Sequence, residues 1–133
     1  MAPEQRIAIA SDRDIVAARQ EGRRLASGLN FSSSDLTVIA VAISEVARNI
    51  LSYAGRGEIH LRLCEKSSRR GICIVAQDEG PGIENVPLAL EDGFSTSGSL
   101  GLGLPGARRL MDDFEIHSEV GKGTTVTLRK WAR

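Results

Sequence analysis

Apolar and polar residues alternate in some stretches of this chain and recur at helical spacing in others, and together these patterns predict five strands and three helices. Residues 6–10 alternate as a short strand does. Asp12 suits an N-cap, and Ile15, Val16, Arg19, Leu25 and Ala26 follow at helical spacing to about residue 29, where Gly28 and Asn30 punctuate the end. Ser34 is expected to cap a second helix, with Asp35 in the first turn where the macrodipole favours an acid. Leu36, Ile39, Ala40, Ile43, Ala47, Ile50 and Leu51 give that helix a wide apolar stripe, and Gly55 stops it. Residues 58–64 and 71–78 read as a hairpin across the polar loop 65–70, with Ile59, Leu61 and Leu63 facing the same way as Ile72, Ile74 and Ala76. Residues 79–100 are irregular, and a loop of that length in so small a chain is usually functional. A third helix is predicted over 104–113, with Pro105 tolerated in its first turn, and strands over 114–119 and 124–131 flank a tight turn at 120–123.

Antiparallel strands that offer one apolar face to three helices make an α/β (α+β) two-layer sandwich and leave the other sheet face comparatively bare. At 133 residues and 14.3 kDa, residues 1–133 are read as a single domain. Seventeen basic residues balance seventeen acidic ones, so no excess positive field draws the chain to nucleic acid or to a membrane surface. The longest uninterrupted apolar run, residues 38–43, falls far short of the roughly 20 residues that cross a bilayer. Residues 1–6 lack the basic and apolar regions of a signal peptide. Cys64 and Cys73 fall on neighbouring strands with no metal-type spacing, so a reduced, cytoplasmic protein is expected.

Three motifs carry candidate chemistry. Glu45 and Asn49 lie about one helical turn apart, roughly 6 Å along the axis, and point away from the apolar stripe. A carboxylate can take a proton from an attacking hydroxyl, and an amide oxygen can ligate Mg²⁺ without adding charge; the plainer alternative is a solvated helix face. Asp78 ends a strand ahead of Gly80-Pro81-Gly82, where its carboxylate could accept from the exocyclic amine of adenine; a simple glycine-proline turn is the alternative. Gly101 and Gly103 precede a helix N-terminus, whose free N–H groups suit phosphates, although a flexible glycine loop would look the same. All three in this order favour a nucleotide site.

The set resembles the nucleotide site of the GHKL ATPase superfamily, which includes histidine kinases, gyrase-type ATPases and anti-sigma-factor kinases. Asp12-Ile15-Val16-Ala17-Ala18-Arg19, Ala42-Ile43-Ser44-Glu45-Val46-Ala47-Arg48-Asn49-Ile50 and Tyr53-Ala54-Gly55 are similar to the RsbT group. So are Glu91-Asp92-Gly93-Phe94-Ser95-Thr96-Ser97-Gly98, Gly103-Leu104-Pro105-Gly106, Arg109-Leu110-Met111-Asp112 and Lys130-Trp131. The resemblance implies a Bergerat-type ATP-binding fold, a mixed, largely antiparallel sheet covered on one face by helices. It implies ATP and Mg²⁺, with Glu45 as general base, Asn49 as the Mg²⁺ ligand and Asp78 as the adenine reader shaped by Gly80 and Gly82. By the same resemblance Gly101 and Gly103 form the phosphate turn, Thr124 places a hydroxyl near adenine, and Ser95, Thr96, Ser97 and Gly98 belong to a lid reaching Leu100.

The implied activity is serine/threonine protein kinase in bacterial stressosome and partner-switching stress pathways. STAS-domain antagonist and scaffold proteins would be the substrates, and the regulatory region of a PP2C-type phosphatase a further partner. The alternative within the superfamily is an anti-sigma factor that sequesters a sigma factor. A gyrase-type ATPase or a histidine kinase would carry further domains. His60 and His117 fall in strands and are expected to be satisfied there, and Trp131 to be an anchor at a strand end.

Overall fold

A computed structural model describes residues 4–83, 86 and 103–132. In chain order the elements are β1 (Gln5–Ile9), α1 (Asp12–Ala26), α2 (Ser33–Tyr53), β2 (Gly57–Lys66), β3 (Arg69–Asp78), α3 (Gly103–Leu110), β4 (Asp113–Glu119) and β5 (Gly123–Trp131). All eight expected elements form, with shifts at their ends. Ser11, not Asp12, is the N-cap of α1, because Asp14 reaches back to accept from the Ala10 and Ser11 N–H groups at 2.9 and 3.1 Å. Ser32, not Ser34, caps α2 and accepts from the Asp35 N–H at 3.0 Å. The β2–β3 hairpin is longer than expected, since only Ser67 and Ser68 turn the chain, at φ 52° and 68°. Positive φ at both central residues matches the right-handed twist of the flanking strands. Helix α3 stops at Leu110 rather than 113, because the Asp112 N–H already donates to the Arg129 carbonyl of β5.

The described strands form one sheet in the order β1-β2-β3-β5-β4, every neighbour antiparallel. Ile59 pairs with Ala76, Leu61 with Ile74 and Leu63 with Ile72, the facing that the alternation predicts. Continued across the sheet, the same side carries Val126, Leu128, Phe114 and Ile116, and the helices cover it. The core between the layers holds Ile39, Ile43, Val46 and Ile50 from α2, Ile15 and Ala18 from α1, and Leu104 and Ala107 from α3. Gly22 lets α1 press on α2, since a Cβ there would collide with Ile43.

Helix α2 is the central beam. It is long and apolar enough to cross a membrane by length and mean hydropathy, 1.3 over its 18-residue window, yet half of that window is buried inside the fold. Among the described residues no helix covers the other side of the sheet, which carries Arg62, Glu115, Thr127 and Arg129. Trp131 lies there over Gly71, 5.8 Å from the Arg69 guanidinium, and its indole N–H donates to Asp113 at 2.9 Å. It is a strand-end anchor. Cys64 and Cys73 are free, and burial pushes the Cys64 thiol above its usual range.

Candidate nucleotide site

On the helix-covered side of the sheet the apolar rows end in a polar one. Asp78 at the end of β3 pairs with Thr124 of β5, which pairs in turn with Ser118 of β4. Period-two alternation therefore puts all three side chains on one face, at the edge of the core. Asp78 is 8% exposed and Thr124 4%. The Asp78 Oδ1 accepts from the Gly80 N–H at 2.9 Å, and its other oxygen makes no hydrogen bond among the described residues. The Thr124 and Ser118 hydroxyls are 2.8 Å apart.

The loop after Asp78 is fastened from several sides. The Ile83 N–H donates to Ser118 Oγ at 2.7 Å, and the Gly121 N–H donates to the Pro81 carbonyl at 2.8 Å. A Cβ on Gly80 would stand 2.5 Å from the Ala54 Cβ at the end of α2. Gly82 has φ +80°, and a Cβ there would meet the Glu119 carbonyl at 2.5 Å. Both glycines are thus required by close backbone approach, and the loop is clamped between the end of α2 and the β4–β5 turn.

Helix α2 brings its polar residues to the same end of the molecule. Ala54 meets Gly80, and Ile50 packs beside Gly57 at the start of β2. Glu45 is not on a solvated face: it is 5% exposed, on a stretch of α2 buried all round from residue 42 to 47. Its Oε1 accepts from Arg48 Nη1 at 3.0 Å, while Oε2 is buried with no hydrogen-bond partner among the described residues. An unsatisfied buried acceptor costs about 1–3 kcal/mol, and more when charged, so it marks a place where a donor is missing. Asn49, one residue past Arg48, is half-buried and makes no hydrogen bond among the described residues.

Gly103 opens α3 at φ +46°, and the buried residues Leu104 to Ala107 dock that helix on α2. The N-terminus of α3 is therefore carried by the same beam as Glu45 and Asn49. Ser95, Thr96, Ser97, Gly98 and Gly101 lie outside the described residues, as does the lid that they were expected to form. No three of His, Cys, Asp and Glu converge on a possible metal site among the described residues. A Mg²⁺ held mainly by phosphate oxygens asks the protein for one or two ligands only, which a half-buried Asn49 amide fits.

Two residues of this region carried no expectation. Ser118 was legible only through its register opposite Thr124, and Arg48 only as the residue beside Asn49. The histidines lie elsewhere: His60 is held by Glu58 at 3.2 Å on the uncovered face, which His117 shares. A cavity of about 830 Å³ also opens at this end of the sheet, but Glu58, Gln77, His117, Glu119 and Thr125 in its lining belong to the uncovered face. Its lining also includes Asp78, Ser118 and Thr124 of the polar row, and no residue of α2.

The sequence profile of the histidine kinase-like ATPase domain matches residues 9–130, so the chain belongs to that family. The mycobacterial sensor histidine kinase MprB shares the fold, with a TM-score of 0.57 and 19% identity over 98% of this chain and 99% of its own. The serine/threonine-protein kinase RsbT of Bacillus subtilis is 49% identical over 96% of each chain. This places the chain among the RsbT-type serine/threonine-protein kinases. More distantly, an anti-sigma F factor of Clostridium acetobutylicum is 30% identical over 85% of this chain and 82% of its own.

Proposed function

We propose that this kinase transfers the γ-phosphoryl group of Mg·ATP to a Ser or Thr hydroxyl of a STAS-domain antagonist or scaffold protein in a cytoplasmic stress-signalling partner switch. The observation that carries the reading is the buried Oε2 of Glu45, without a partner among the described residues, on the helix whose end abuts the Asp78 loop. Glu45 accepts the proton of the attacking hydroxyl on its buried carboxylate. Asp78 accepts from the adenine amine, with Thr124 and Ser118 beside it and Gly80 and Gly82 letting the base approach the backbone. Gly103 opens α3, whose free N–H groups suit the phosphates, and the resemblance assigns Gly101, Ser95, Thr96, Ser97 and Gly98 to the same task. Asn49 would hold Mg²⁺, which would supply charge neutralisation at the phosphate oxygens. Catalysis in such a site rests on positioning and charge.

Activation of a PP2C-type phosphatase through its regulatory region is the proposed second output. A second reading, capture of a sigma factor, draws on the relative named as an anti-sigma F factor. Incubation with γ-labelled ATP and candidate STAS-domain proteins tests the first. Label on a Ser or Thr of one of them, lost in Glu45→Ala, is the expected result. Stoichiometric capture of a sigma factor without any transfer would favour the second.

A further inference from the structure

The contact between Glu45 and Arg48 joins a buried carboxylate to a side chain that is itself 39% exposed. Glu45, Arg48 and Asn49 share one face of α2 at helical spacing i, i+3 and i+4. A guanidinium facing a carboxylate commonly engages both oxygens in a fork. Here Arg48 Nη1 takes Oε1 alone at 3.0 Å, and among the described residues Oε2 has no partner. A glutamate left to itself has three rotatable bonds and two equivalent oxygens, so nothing would decide which oxygen faces the reacting hydroxyl.

We propose that Arg48 is a positioning residue for phosphoryl transfer: by occupying Oε1 it fixes the Glu45 carboxylate and assigns Oε2 to proton acceptance. The role deepens the kinase reading and rests on Glu45 being the base. In this role Arg48 acts through Glu45 and not on nucleotide or acceptor directly.

The test uses full-length protein and single-turnover release of phosphate from γ-labelled Mg·ATP, with water as the acceptor. It compares Arg48→Gln, Arg48→Lys, Glu45→Gln and the double variant Glu45→Gln/Arg48→Gln. Misplacing a catalytic group by about 1 Å costs on the order of 100-fold, so Arg48→Gln should slow the step by roughly 10- to 100-fold. Its affinity for a fluorescent ATP analogue should stay within about twofold of wild type, and Arg48→Lys, which keeps one cationic donor, should recover most of the rate. The double variant should be no slower than Glu45→Gln alone, because a residue that acts through another adds nothing once that other is gone. An unchanged rate in Arg48→Gln beside a slow Glu45→Gln overturns the proposal and leaves Glu45 as base. Parallel loss of rate and ATP affinity, or further loss in the double variant, overturns it by making Arg48 a ligand in its own right. If Glu45→Gln is as fast as wild type, the base reading fails and the role of Arg48 fails with it.

Discussion

At Asp78, exchange of one oxygen for an amide separates an acceptor from a donor. The carboxamide introduced by Asp78→Asn can still accept from the Gly80 N–H through its oxygen, as the native carboxylate does at 2.9 Å, but then turns an NH₂ group toward the adenine amine. The fold should hold while nucleotide affinity falls by about ten- to a hundredfold, the equivalent of roughly 1–3 kcal/mol for a lost buried acceptor. Titration of a fluorescent ATP analogue measures it, and unchanged affinity would remove Asp78 from the site. Glu45→Ala and Asn49→Ala should fail in different ways. The first should slow transfer by about 10²–10⁴ with ATP still bound, and the second should abolish the Mg²⁺ dependence of binding. Rapid-quench transfer assays and binding titrations with and without Mg²⁺ separate the two. Candidate residues of this kind stand out in a sequence when chemistry and spacing coincide, as for Glu45 with Asn49 and for Asp78 with its glycines. The burial of Glu45 was not legible, because helical spacing shows which way a residue points and not what other elements lay over it. Ser118 stayed hidden for a related reason: it reaches Thr124 through strand register, which no local pattern around it announces.

Among the elements, periodicity served best where one face is buried. The alternation of residues 59–63 and 72–76 specified the β2–β3 register, since a slip by one residue would turn the apolar set outward. Ends were harder. Ser32, Ser33 and Ser34 offer the same hydroxyl in succession, and only the path of the chain selects Ser32 as the cap of α2. Ser32→Ala should therefore cost about 0.5–2 kcal/mol in urea unfolding, whereas Ser34→Ala should be nearly neutral. The Ser67-Ser68 turn went unread because serine is not the residue type that positive φ usually selects. In the loop after β3, Gly82→Ala forces a Cβ onto the Glu119 carbonyl at φ +80°. Strain of about 1–3 kcal/mol is expected, with weakened nucleotide binding, because the loop must lift from the β4–β5 turn. Calorimetry and the same ATP-analogue titration would show a stable, fully binding variant if the clamp is unimportant.

For the molecule as a whole, ligand that binds only the folded state adds stability, about 2.7 kcal/mol at a hundredfold excess over Kd. Mg·ATP should thus raise the melting temperature by several degrees, and in Asp78→Asn the rise at equal ATP should shrink; equal shifts in both proteins would count against a nucleotide site at this end of the sheet. The same α2 helix supplies the core through Ile39, Ile43 and Ile50 and carries the proposed base Glu45 and Mg²⁺ ligand Asn49. Ile43→Ala, about 2–5 kcal/mol destabilising, should also move the carboxylate that the helix holds. That double duty shapes how such proteins can diverge. If α2 cannot be retuned for a new partner without disturbing both the core and turnover, variation should accumulate on the rim: the exposed side of α1, the sheet face away from the helices and the connecting loops. Descendants that serve different pathways should keep the beam nearly superimposable and differ in what surrounds it.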